Sequence, residues 1–436
     1  MQTATQAAES IAGGFTSSVE LVQACLDLIA AADGTLKAWA FVDPEAALVQ
    51  ARTMDELRQT GKPLGPLHGV PIAVGDTIDT AAMPTRLGTR IFEGRIPDSD
   101  ATVVSKLREA GAVVLGKTAT NEFGAGAPGP TGNPHDPTRT PGAGGAAAAV
   151  AAGYVPLAVD RQQGGEVIPS ASCCGVFGAI PSRGMISRSG TLRVSNTLDR
   201  IGVLARSLED AALLVDALTG YDAADPATFA RAKPCLSRGV RDEAPMEPSF
   251  VYFKLPYADR LSADAGEAIA ELLDAMTGRV EQIALPASYA NVIDHRNLVL
   301  DYELYRSLAD QVAAHPGDVS PLLAAALERG QAIGADRYAE SMAVIDASRA
   351  FFREILTEFD AIVTPAAGGA APIGLSARAD TTFSAIFDFC GLPSLSLPLL
   401  GDAQGLPIGV QLVADLEDDA KLCRSASWLQ SYLRAS

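Results

Sequence analysis

The chain of 436 residues carries 52 acidic side chains against 34 basic ones, for a formal net charge of −18. Such a balance repels a phosphate backbone and an anionic bilayer alike, so neither nucleic acid nor membrane is an expected partner. The length exceeds the usual one-domain range of about 100–200 residues but suits a large one-core α/β enzyme.

The N-terminus, "MQTATQAAESIAGG", has acid where a signal peptide needs base and lacks an apolar core segment, so a cytoplasmic protein is expected. Ser17-x-x-Glu20 reads as a capping box ahead of the amphipathic "VELVQACLDLIAAA", and Asp43-Pro44 opens a second helix with an N-cap followed by proline. "GVPIAV" (69–74) predicts a short buried strand, "DATVVSKLREAG" (100–111) a helix capped by Asp100, and "AVVLGK" (112–117) the next strand. The Gly/Pro/Thr-rich segment 123–145 cannot hold regular structure and is expected to wrap the surface or line a pocket. A helix (146–153) and a strand (155–159) then lead into "DRQQGGEVI". This double-glycine turn stands at a strand's C-terminal end, where open α/β sheets place ligands. A helix (207–220), a strand (249–255) and a long helical block follow. Strands at 359–365, 392–398 and 407–414, with a final helix, close the chain. One domain over 1–436 is expected, with a helical N-terminal region to about residue 62 and a helical insertion over about 298–358 packed on the same core.

Six cysteines, two of them adjacent at 173 and 174, do not form a disulfide framework and read as reduced core thiols. His68, His135, His295 and His315 are scattered without metal-ligand spacing, so no metal and no other cofactor is expected.

"LHGVPIAVGDTIDTAAMPTRLGTRIF", "SKLREAGAVVLGKTATNEFG", "GNPHDPTRTPGAGG", "LDRIGVLARSLEDAALLVDALTG" and "GLPSLSLPLLGDAQGLPIGVQLV" stand in the order and approximate spacing of the amidase signature family, which the whole chain resembles. The resemblance implies an α/β fold with a large mixed, mainly parallel β-sheet flanked by many α-helices. It also implies amide hydrolysis through a Ser–Ser–Lys triad. Three positions depart from that triad. Gly75 stands where the family has lysine, Ala143 where it has the bridging serine in a longer glycine-rich run, and Glu166 where it has the nucleophile. Neighbouring positions drift with them: the family's Thr-Asp-Thr is Arg161-Gln162-Gln163, and an arginine is replaced by Ile168.

The rebuilt cleft is expected to draw on Gly164, Gly165, Gln162, Gln163, Asp76, Arg86 and Arg161, with Glu166 as the candidate catalytic residue. Each has a bland alternative. Gly164-Gly165 satisfies a turn's backbone angles without making an oxyanion hole, and Asp76 braces a turn. Glu166 needs a partner or solvent, because a buried unpaired carboxylate is costly. Arg161 and Arg86 are the arginines that would turn it into a salt-bridged plug. Three functions therefore stay open. Glu166 binds or transforms a small amide or imide, as hydrolase or lyase/cyclase; or the chain is an inactive partner or regulatory subunit; or Glu166 activates water for residual hydrolysis. The expected partners are a small-molecule ligand and a protein partner or second copy of the chain.

Overall fold

The structure, a computed structural model, describes residues 2–163 and 166–435; Gly164 and Gly165, both expected to bind ligand, lie outside the described residues. Local chemistry accounts for the first elements. Ser17 and Glu20 form the expected capping box on the helix Ser18–Leu36, and Asp43 accepts from Ala46 N at the start of Pro44–Gln59. Asp100 behaves differently. The helix Thr102–Glu109 begins at Ala101 with no side-chain cap. The Asp100 carboxylate is taken instead by the Ala81 amide (2.7 Å) and by Arg108 Nε (2.9 Å), so it ties a loop to the helix's last turn.

Eleven strands form one sheet: β1 (Trp39–Val42), β2 (Pro71–Gly75), β3 (Val113–Thr118), β4 (Leu157–Gln162), β5 (Phe177–Ile180), β6 (Arg200–Ala205), β7 (Phe250–Lys254), β8 (Val280–Ala284), β9 (Ala361–Pro365), β10 (Ser394–Gly401) and β11 (Pro407–Val413). Their spatial order is β1-β3-β2-β4-β6-β5-β10-β11-β9-β7-β8, so strands from both ends of the chain share the sheet. The sheet is mixed, as expected. Among the described residues, however, four pairings are parallel and six antiparallel, so parallel pairing does not predominate. The hairpin β10–β11 is antiparallel because its short connection allows nothing else, and in the run β4–β6–β5–β10 strands distant in the chain are inserted in alternating direction, so no parallel pair forms across the middle of the sheet.

Alternation along the strands divides the core. Val74 and Val159 pack into the cluster on one face of the sheet, while Ala73 and Ala158 pack into the cluster on the other. Strands β2, β3, β6 and β9 are buried along their whole length, which is why they read as continuous apolar runs. The expected helical block is three helices, Val292–Ala313, Pro321–Gln331 and Ala335–Glu358. It leaves after β8 and returns at β9, and both strands pair with β7, so the block is an excursion from one edge of the sheet. No described helix is long and apolar enough to cross a membrane.

Candidate functional site

Strand β4 carries the chain to the site. Arg161, near its end, is anchored three ways: to Asp199 Oδ1 (2.9 Å), to the Phe123 carbonyl (3.0 Å) and to Gln163 Oε1 (2.6 Å). These bonds clamp the turn 122–124 over the strand end. Gly124 belongs there for two reasons, its φ of +72° and the 2.2 Å that would separate an added Cβ from Arg161 Nη2. Glu122 fastens the far side of the same turn, accepting from the Ser320 backbone N–H (3.0 Å), the Ser320 hydroxyl and Ala127 N. The Gly/Pro-rich segment thus lines a pocket, as expected, and it is bonded to the start of the helix Pro321–Gln331.

Between this segment and the helical block lies a cleft of about 520 Å³. Two helical stripes form its outer wall: Arg296, Leu300 and Leu304 recur at every fourth residue, and Leu322, Ala325, Ala326 and Arg329 recur at three- and four-residue spacing. Its floor includes Ala143, Gln163 and Glu166. Behind the floor is a chamber of about 20 Å³ lined by Ala143, Asp160, Arg161, Glu166, Ser170 and their neighbours. That is room for a single water.

Glu166 lies at the N-terminal boundary of the helix Val167–Cys174 and borders both spaces. Among the described residues it has no ion-pair partner. Arg161 is committed to Asp199, and Arg86 lies in a different cleft, so the salt-bridged plug through either arginine is not formed. Burial pushes the Glu166 carboxyl up to about 7, against the pull of Arg378, Arg161 and Arg296. Asp160, which shares the chamber, is pushed up to about 6, chiefly by burial.

The three positions compared with the triad converge on this chamber. Ala143 and Glu166 line it directly. Gly75, on β2, adjoins it through Asp160: an added Cβ would stand 2.2 Å from Asp160 Oδ1, so the Asp160 carboxylate fills the space a side chain at 75 would enter. The buried Lys117 does not substitute. It pairs with Val74, one residue out of phase with Gly75, so its side chain leaves the opposite face of the sheet. There it donates to the Ile78 carbonyl, Thr80 Oγ1 and Thr85 Oγ1. Burial lowers its ammonium to about 8.

The other expected binding residues divide. Gln163 lines the cleft; its Oε1 accepts from Arg161 and its Nε2 has no partner among the described residues. Gln162 is structural, donating to Asp388 Oδ1 (2.6 Å) and accepting from Val167 N. Asp76 accepts from Arg86 N (3.0 Å) and Gly88 N (3.4 Å), the turn-bracing role, and with Arg86 it borders a second cleft of about 530 Å³. Ser170 is pinned, donating to the Glu166 carbonyl (2.8 Å) and accepting from Ala143 N (3.0 Å). Cys173 is buried, which pushes its thiol up to about 12, and burial raises the Cys174 thiol well above its ordinary value too. Asp160, Arg296, Asn297, Asp301, Arg329 and Arg378 were not expected. The four-residue spacing of Arg296, Leu300 and Leu304 was the signal available for the helical wall.

Fold and site together define a large α/β protein with a mixed sheet and a cleft at the C-terminal end of β4. The amidase family matches residues 20–423, and the chain belongs to that family, the amidase signature family. A glutamyl-tRNA(Gln) amidotransferase subunit from Chloroflexus aurantiacus is 33% identical to it, over 97% of this chain and 94% of the relative. A solved structure described as a vestigial protein complex that reveals the evolutionary origins of an s-triazine catabolic enzyme is 27% identical, with a TM-score of 0.90 over 99% of this chain and 98% of that one. The native peptide amidase of Stenotrophomonas maltophilia is 28% identical, with a TM-score of 0.85 over 99% and 97% of the two chains.

Proposed function

We propose that this chain is an amidase-family protein without the Ser–Ser–Lys triad, binding and transforming a small amide- or imide-like compound in the cleft around Glu166. The observation that carries the reading is Glu166 itself, a carboxylate without an ion-pair partner among the described residues, bordering both the cleft and the one-water chamber. A plugged site would have used that carboxylate in a salt bridge. Here it is free to accept an N–H from a bound amide, and Asp160 stands beside the same chamber. With a titration point near 7, Glu166 is suited to proton transfer at neutral pH. In this scheme it takes a proton from the chamber water as that water adds to the carbonyl, then returns it to the departing nitrogen. No acyl-enzyme is involved.

Purified protein incubated with a panel of small amides and imides, followed by mass spectrometry and thermal shift, tests the reading. Binding or turnover is expected in the parent and loss of it in Glu166→Gln. A Glu166→Gln variant that handles the panel as the parent does would overturn the proposal.

A second reading has support of its own. The Chloroflexus relative is named as one subunit of an amidotransferase, and the s-triazine-related structure is described as a complex. A role as partner or regulatory subunit predicts co-purification of a stoichiometric protein partner, together with no turnover of any amide in the panel.

A further inference from the structure

We propose that the ligand carries a carboxylate as well as its amide, and that Arg296 is the residue that binds that carboxylate. The inference rests on the reading of the cleft as a small-amide site and names the class of compound it takes.

Four arginines are more than nine-tenths buried: Arg161, Arg188, Arg200 and Arg296. Three hold an aspartate within 3 Å, namely Arg161 with Asp199 (2.9 Å), Arg188 with Asp225 (2.8 Å) and Arg200 with Asp388 (2.8 Å). Arg296 has no carboxylate at ion-pair distance among the described residues. Among the described residues its Nη1 donates only to the neutral Asn297 Oδ1 (2.7 Å), and its Nε has no partner. A buried guanidinium left this way is costly, so the fold is expected to supply its counter-charge from elsewhere. Unlike the other three, Arg296 lines the large cleft.

The charges around the cleft leave room for one anion. Arg329, on the neighbouring helix, is cancelled by Asp301, which it grips through Nε (2.6 Å) and Nη2 (3.1 Å). Arg378 donates to the carbonyls of Ala125 and Gly126 and has no carboxylate at ion-pair distance among the described residues. Two uncancelled cations, Arg296 and Arg378, therefore face one carboxyl, Glu166. A single carboxylate on the ligand balances the site, whereas a phosphate dianion overshoots it. Guanidinium and carboxylate match as planar partners, and Gln163, which lines the same cleft, holds a buried Nε2 with no partner among the described residues. The ligand's N–H is then left for Glu166, so one short molecule bearing both groups satisfies all three residues.

The test is calorimetric titration of the whole chain at pH 7 with succinamate, glutaramate and adipamate, with the corresponding diamides, and with inorganic phosphate. At least one monoamide is expected to bind about tenfold or more tightly than its diamide, the gain of a charge-assisted over a neutral contact. In Arg296→Gln that preference should shrink to within about twofold, while Glu166→Gln should weaken monoamides and diamides alike. Diamides or phosphate binding the wild-type chain as tightly as the monoamides would overturn the carboxylate assignment and leave the small-amide reading standing. Binding by neither amide series would remove that reading and this inference with it. The wild-type comparison decides the matter even where Arg296→Gln does not fold.

Discussion

Glu166 is asked to be two things at once, a half-buried carboxyl and a proton carrier near neutrality, and its pH behaviour follows. Its folded titration point of about 7 lies above the ordinary 4.5, so folding holds its proton more tightly than the unfolded chain does. The associated stability is present in full below about pH 4.5 and is lost as pH rises through 7. The neutral amide of Glu166→Gln escapes that loss. At pH 8 the variant is expected to be more stable than the parent by on the order of 1–2 kcal/mol once solvent screening is allowed for, with the gap closing toward pH 4.5. Thermal melts across this range check it, and a gap of constant size would count against a strained carboxyl. Serine chemistry is a separate matter. Ser170 is pinned between Ala143 N and the Glu166 carbonyl, and the buried Ser172 accepts from Gly409 N (2.7 Å). Fluorophosphonates and sulfonyl fluorides should therefore leave the site unlabelled, and a stoichiometric adduct on either serine by mass spectrometry would contradict this. Glu166→Ser should not restore hydrolysis either, because a lone hydroxyl has no proton acceptor. Adding Gly75→Lys and Ala143→Ser should recover little. The Asp160 carboxylate occupies the entry of any side chain at 75, and an error near 1 Å can cost about a hundredfold. Substantial amidase activity in the triple variant would show that the chamber can rearrange.

At the scale of elements, the cleft is a contact between the 122–127 turn and the helix Pro321–Gln331, and Glu122 is the fastening. It serves Ser320 through two bonds, and Ser320 itself caps that helix by accepting from Leu323 N (3.2 Å). Glu122→Ala strands these donors and is expected to cost about 1–3 kcal/mol by chemical denaturation, with weaker binding of any cleft ligand because the wall loses its registration. Unchanged stability and binding would show that the turn is held without Glu122, by the bonds from Arg161 and Arg378. The same elements mark how much is legible in the sequence. The capping box at Ser17, the cap at Asp43 and the apolar runs of β2, β3 and β4 can be read because the signals are local, lying within a few residues of what they shape. The position of Glu166 is legible because the motif resemblance runs past it without a gap. Asp100 reads as a cap and is not one, because its partners, Ala81 and Arg108, are settled by the fold. Arg86 reads as a neighbour of Glu166 from the motif order, whereas the chain carries it to another cleft. Arg296 and Arg378 are invisible for the converse reason. They enter the site from more than a hundred residues downstream, Arg296 from the helical excursion and Arg378 from the segment after β9, and nothing near them in sequence places them beside Glu166.

For the whole molecule, the decisive feature is that the site is assembled from parts far apart in the chain and fixed to one sheet. The floor comes from β4 and the segment after it. One wall comes from the turn between β3 and β4, and the outer wall comes from helices that leave the sheet after β8 and rejoin it at β9. A ligand bound there must touch all three, and mass action then stabilises the folded state by about 2.7 kcal/mol at a ligand concentration of 100 Kd. Local opening of any one part would release the ligand, so the protection has to appear in all of them together. Hydrogen exchange with saturating monoamide is expected to slow at 122–127, at 292–304 and at 321–331 in parallel, with β7 and β8 at the sheet's far edge unaffected. Protection confined to the helical block would mean that the ligand sits on the outer wall without reaching Glu166. Protection confined to 122–127 and the Asp76–Arg86 region would move the binding site to the second cleft, and with it the assignment of Arg296.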